Sequence, residues 1–161
     1  MYRNLMTSAF LVVAVAGYVF AADQGPLVGS WRFEKKVDTL ADGTEVASGP
    51  AAGYQGFVVF TAGGRFVGAI VPRERRWRIS TVAPEELRHS LTATDAYFGT
   101  YHVDPKGRTL TYRPEGSLDP SLENTDQVRG YKLSGDRLVL SGSWEYEGTK
   151  RHFEITWRRV E

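Results

Sequence analysis

A chain of 161 residues with 42% hydrophobic side chains and 17 glycines carries enough apolar surface for one cored, turn-rich domain, which excludes a disordered tail. Twenty Lys and Arg stand against nineteen Asp and Glu, so no net field draws a nucleic acid or an anionic membrane. Cysteine is absent, which removes disulfides, thiolate metal sites, a cysteine nucleophile and the acylated cysteine of a lipoprotein together.

The N-terminus carries one cation, Arg3, followed by an apolar run from Leu5 to Phe20 and the small residues Ala21 and Ala22. This pattern predicts a secretory signal peptide over residues 1–21, with a mature domain over 22–161. The run is shorter than the roughly 20 apolar residues that span a bilayer and is broken by Thr7, Ser8 and Gly17, so no stable membrane insertion is expected after cleavage. The expected location is secreted or periplasmic.

Leu27 to Glu34 alternates apolar and polar residues, which predicts a half-buried strand with Trp31, Phe33 and Val37 on one face. Asp42-Gly43-Thr44 is a turn signal and Ala47 to Gly53 reads as a loop. Gly56–Thr61 and Arg65–Pro72 predict a hairpin joined by Ala62-Gly63-Gly64, where glycine supplies the positive φ of a tight turn. Four arginines between Arg73 and Arg78 surround Trp77; beside Glu74, in a neutral chain, they read as a solvated loop, and no nucleic acid partner is expected.

Pro84-Glu85-Glu86 opens a short helix of about ten residues, with proline in the first turn, carboxylates at the positive end of the dipole, and Leu87 and Leu91 on one side. Its expected job is to close one end of the sheet. Tyr97–Asp104 and Thr109–Arg113 predict strands joined by Asp104-Pro105-Lys106-Gly107, and Glu115–Asn124 reads as a polar loop. Thr125–Leu133, Arg137–Trp144 and Arg151–Val160 complete an all-β meander of about eight strands, which closure into an antiparallel up-and-down barrel would free of exposed edges.

Three segments taken together resemble the bacterial and fungal lipocalin-like domain family of small single-domain proteins. They are Leu27-Val28-Gly29-Ser30-Trp31-Arg32, Ala96-Tyr97-Phe98-Gly99-Thr100-Tyr101, and Glu115-Gly116-Ser117-Leu118-Asp119-Pro120 followed by Thr125-Asp126-Gln127-Val128-Arg129. The resemblance implies a barrel with a small-molecule pocket, and an early Trp packed under an Arg of the last strand, here Trp31 with Arg158 or Arg159. Members of the family often carry histidine just before the Glu-Gly-Ser-Leu element. This chain has Tyr112-Arg113-Pro114 there, so no acid–base role of those histidines carries over.

Alternation puts Arg113 and Glu115 on one face of their strand, and Gln127, Arg129 and Tyr131 on one face of the next. If both faces point inward, Glu115 pairs with Arg129 or Arg113, because a buried charge is costly unless paired. One outcome is a self-satisfied ion pair that holds register; the other is an arginine fork that captures a ligand carboxylate or enolate. The candidate ligand-binding residues are Tyr97, Tyr101, Arg113, Glu115, Gln127, Arg129 and Tyr131. Phe57, Phe60, Phe66, Trp144 and Trp157 are expected in the core or pocket wall.

His89, His102 and His152 lack metal-ligand spacing, no serine sits in a nucleophile elbow, and no glycine-rich loop opens a helix, so neither metal nor cofactor is expected. The leading expectation is an exported carrier or sensor of a small, mainly apolar molecule, with any acidic group of it held by Arg129. The alternative is a cofactor-independent isomerase, cyclase or lyase, with Glu115 as acid or base and Arg129 or Tyr101 stabilising negative charge. A third reading is a filled barrel that acts through its outer surface. Oligomeric state is open.

Overall fold

The computed structural model describes residues 25–48, 52–75, 77–146 and 148–160, the side chains of Ser48 and Tyr146 excepted. The signal peptide expected over 1–21 lies outside the described residues. Among the described residues nine strands and one α-helix follow one another: β1 (Gly29–Thr39), β2 (Glu45–Ser48), β3 (Tyr54–Phe60), β4 (Arg65–Pro72), α1 (Pro84–Thr92), β5 (Asp95–Asp104), β6 (Thr109–Ser117), β7 (Gln127–Ser134), β8 (Arg137–Tyr146) and β9 (Thr149–Arg159). Every neighbouring pair is antiparallel, and β1 also pairs with β9, so eight strands close into a barrel while β2 flanks the far half of β1. The short β2 falls within a stretch that reads locally as turn and loop.

Two irregularities decide which side chains look inward. On β1 the register against β9 slips between Phe33 and Lys35, a β-bulge that reverses the alternation beyond it. Trp31 and Phe33 point into the core as expected. Val37 does not: it pairs with Glu154 on the outer face, and Lys36 and Asp38 turn inward opposite Ile155 and Phe153. The second bulge falls between Phe98 and Gly99, opposite Pro114, Glu115 and Gly116. Proline has no N–H for the ladder, and a bulge is where an interior strand accommodates it.

The barrel is closed tightly at one end, its base. Leu27, Trp31, Leu110 and Leu138 are all 0% exposed there, and Phe33 meets Trp157 edge-on at 5.7 Å. Arg159 lies over the Trp31 ring at 4.1 Å and donates to the carbonyls of Val28 and Pro26, while Trp31 Nε1 donates to Leu27 O. Arg158, one residue earlier, faces outward to Glu34 and Asp136. Of the two arginines open to Trp31 in sequence, strand parity selects Arg159.

The middle of the barrel is a stack of rings. Phe60, Phe66, Tyr97, Tyr101 and Tyr112 contact one another with centroids 4.7–6.1 Å apart. Phe57, expected in this wall, faces outward and is 41% exposed, in line with Val67 and Phe98 on neighbouring strands.

Helix α1 runs from the Pro72 end of β4 to the Asp95 end of β5. Its buried side chain is Ser90, Leu87 is half-buried and Leu91 half-exposed, so it lies at the rim and does not seal the barrel. Among the described residues no helix is long and apolar enough to cross a membrane.

Candidate functional site

At the end away from Trp31, the inward side chains change character. Lys36 and Asp38 from β1, Tyr54 from β3, Tyr97 from β5, Gln127, Arg129 and Tyr131 from β7, and Arg151 from β9 are half-buried, and Trp144 from β8 is exposed. This is the mouth of the barrel: solvent reaches inward-facing groups here, whereas at the base it reaches almost none. Polar residues survive on the inner face because the bulge in β1 and the start of β7 lie where the wall meets water.

Arg129 is the centre of this mouth. Its guanidinium lies 5.1 Å from the centroid of Phe153, donates to the neighbouring Val128 carbonyl at 3.0 Å and reaches Gln127 Oε1 at 3.4 Å. Among the described residues no carboxylate pairs with it. Gly142 makes room for it, since a Cβ there would stand 2.9 Å from Arg129 Cδ and 2.8 Å from Phe153 Cζ. Lys36 sits over the other aromatic surfaces, 5.4 Å from the Trp144 centroid and 5.9 Å from that of Phe153, and pairs with Asp38 at 3.5 Å. Trp144 Nε1 donates to the same Asp38 carboxylate at 3.1 Å, and Arg151 stacks on Trp144 at 5.6 Å.

Tyr112, opposite Gln127 on the neighbouring strand, and Tyr97, in ring contact with it, face the same interior as Arg129. The Tyr97 and Tyr112 hydroxyls have no hydrogen-bond partner among the described residues. Desolvation pushes Tyr97 up to about 12, with the Asp95 charge adding and the Arg129 charge opposing. Tyr112 is pushed well above the ordinary tyrosine value by burial and by its tyrosine neighbours, against Arg129. Both phenols are therefore donors at neutral pH. Tyr101 is also raised to about 12 by burial, but its hydroxyl donates to Thr61 O at 2.8 Å, which commits it to the base and not to the mouth.

The expectation for Arg113 and Glu115 is corrected. Tyr112 is opposite Gln127, and residues opposite each other share a face, so an inward Gln127 requires an inward Tyr112 and an outward Arg113. The choice follows from cost: burying a tyrosine ring is favourable, and burying two guanidiniums with one carboxylate is not. Arg113 is exposed and pairs with Asp126 at 2.9 Å. Glu115 is exposed and forms a bidentate pair with Arg65, at 2.6 and 2.7 Å. Glu115 and Arg129 are thus on opposite faces of the wall.

Of the seven ligand-binding candidates, the mouth brings together Tyr97, Gln127, Arg129 and Tyr131. Tyr112, Phe153, Trp144, Gly142, Lys36 and Asp38 were not among them. Tyr112 has a legible signal, the apolar alternation of Leu110, Tyr112 and Pro114; Lys36 and Asp38 have none without the bulge.

The Arg65 guanidinium holds the Glu115 carboxyl below its ordinary value of 4.5. A depressed folded-state value means stability that is present above 4.5 and lost as pH falls through the folded value. Both groups face water, so the effect is small and screened by salt. Melting temperatures of the wild type and Glu115→Gln are expected to differ near neutral pH and to converge below pH 4.5; a constant gap down to strongly acid pH would count against the pair.

Two grooves lie on the outer wall. One of about 570 Å³ is lined by Lys35, Thr39, Glu45, Ser143, His152 and Glu154, among others, and one of about 390 Å³ by residues that include Thr100, His102, Arg113 and Asp126. In the first, Ser143 Oγ is 3.0 Å from His152 Nδ1. Among the described residues no carboxylate bonds to that ring. The serine sits in the middle of a strand, whose N–H groups serve the ladder and leave no oxyanion hole. Among the described residues no three of His, Asp and Glu converge as metal ligands.

The sequence profile of the lipocalin-like domain matches residues 28–160. The chain belongs to the lipocalin-like domain family. No curated protein and no solved structure matches it. In this lipocalin-like chain the matched span runs from the residue before β1 to the residue after β9, so the whole barrel, base and mouth together, is the family's domain.

Proposed function

We propose that this lipocalin-like protein is an exported barrel that holds a small, mainly apolar molecule in its mouth. The observation that carries the reading is Arg129, inward-facing and without a carboxylate partner, set on the Phe153 ring in the same interior as two phenols that have no hydrogen-bond partner among the described residues either. A barrel that only had to be stable would gain by apolar side chains at these positions, because inward polar groups are costly to desolvate. Aromatic faces with a few convergent polar groups are the usual composition of a ligand site. Export rests on the N-terminal sequence pattern, and places the protein in the periplasm or outside the cell.

The isomerase, cyclase or lyase reading loses its acid–base residue, since Glu115 is outside and neutralised by Arg65. Asp38 is an inward carboxylate at the mouth, and it is held by Lys36 and Trp144. Binding is therefore preferred to turnover.

Native mass spectrometry of the mature protein, purified and then incubated with a lipid and metabolite extract, tests this reading. The expected result is a discrete added mass that Trp144→Ala weakens. A bare chain under all conditions, with no change in tryptophan fluorescence, would overturn it.

A further inference from the structure

We infer that the mouth recognises a monoanion, a carboxylate on a flat and mainly apolar body, with the carboxylate held by Arg129 and the phenol hydroxyls of Tyr97 and Tyr112. The inference rests on the reading of the mouth as a binding site, and adds the charge and shape of what binds there.

The charge follows from how the cations are committed. Among the described cations of the mouth, Lys36 is paired with Asp38 and Arg151 is engaged over the Trp144 ring, while the Arg129 guanidinium donates to one backbone carbonyl and one glutamine oxygen. A guanidinium has five N–H donors, and its fork matches the two oxygens of a carboxylate. One uncommitted cation suits one negative charge. A phosphate dianion would call for further cations or a nest of backbone N–H groups, and strands occupy those in the ladder.

The phenols extend the same polarity. Tyr97 and Tyr112 touch ring to ring at 6.1 Å, and the Arg129 charge acts on both, at Tyr97 against the charge of the exposed Asp95. Their raised values keep them protonated, so each offers an O–H donor and neither competes with the ligand for Arg129. An uncharged ligand would leave Arg129 half-buried and uncompensated, which is the source of the discrimination.

The shape follows from the walls. Phe153 lies buried under Arg129 and Lys36, Trp144 stays exposed beneath Lys36 and Arg151, and Tyr131 adds a third inward ring. Gly142 between Arg129 and Phe153 lets both lie close to the wall, and the ring surface open to solvent is that of Trp144. Flat bodies stack on such faces, whereas bulky aliphatic ones meet them poorly.

Isothermal titration of 2-naphthoate and its isosteric neutral analogue 2-naphthamide separates the two levels of the claim. The wild type is expected to bind naphthoate roughly tenfold or more tighter than naphthamide, the range for a hydrogen-bonded charge. Arg129→Gln should abolish that preference, Arg129→Lys should keep part of it, and Tyr97→Phe, which keeps the ring, should lower naphthoate affinity several-fold. Equal binding of both probes, unmoved by Arg129→Gln, would overturn the anion preference and leave the mouth as a binding site. Absence of binding by either probe would overturn both. Melting curves of each variant, matched to the wild type, keep a folding defect from imitating the result.

Discussion

Gly99→Ala is expected to destabilise the barrel by about 3 kcal/mol or more, the upper range for overpacking a site that cannot yield. A Cβ at Gly99 would stand 2.8 Å from Glu115 N and 2.9 Å from Pro114 Cα, and closer still to the Arg113 carbonyl oxygen. These are backbone atoms of the neighbouring strand, held in the ladder, so no side chain can swing aside. Alanine must therefore push β6 away from β5 at the bulge. For a domain of this size the melting temperature should fall by roughly 10 °C. Gly63→Ala is the control, because its Cβ would meet nothing closer than 3.9 Å. If Gly99→Ala melts with the wild type, the bulge is not packed as described.

Trp31→Ala carries the second large effect, about 3–5 kcal/mol, as for other buried tryptophans cut to alanine. Trp31 is fully buried, supports Arg159 on its face and satisfies the Leu27 carbonyl. Removing it empties the base, and leaves Arg159 over a void with only its two carbonyl partners. Trp31→Phe keeps a ring under the guanidinium and loses the N–H donor, so its cost should be nearer 1–2 kcal/mol. Chemical denaturation of the two variants checks the ratio. Equal losses would mean that the Leu27 hydrogen bond, and not the packing, dominates at the base.

Both predictions concern the frame, and the frame is what makes the mouth affordable. Trp31, Phe33, Phe60, Leu110 and Leu138 bury nearly all their surface at the base and middle. That burial stabilises enough to carry Lys36, Gln127 and Arg129 on the inner face at the mouth, where each costs desolvation. Carriage of polar groups that folding does not need is the mark of a site.

The barrel, its hairpins and its helix were legible because each rests on local chemistry. Glycine at positive φ, as at Gly64 and Gly135, marks turns that any observer of the sequence can place. Pro84 with Glu85 and Glu86 marks the start of α1, which runs to Thr92. Alternation marked Trp31 and Phe33 as core, and Gln127, Arg129 and Tyr131 as one face. The family resemblance was legible for the same reason, in short segments at the start of β1, in β5 and from the end of β6 into β7.

What local chemistry could not settle was parity across strands. A strand's inner and outer faces differ by one residue, so one bulge exchanges them. The bulge after Phe33 turned Val37 out and brought Lys36 and Asp38 in, although nothing in Lys35-Lys36-Val37 announces it. The pairing of Tyr112 with Gln127 sent Arg113 and Glu115 outward, because two neighbouring strands must agree on one face and the tyrosine is the cheaper residue to bury. Glu115 then found Arg65, fifty residues away in sequence and two strands across. The sequence by itself determined that this chain is a lipocalin-like barrel with an arginine on one face of β7. Only the closed sheet decided that Arg129 looks inward without a carboxylate, since its surroundings come from strands whose register is set by packing over the whole circumference.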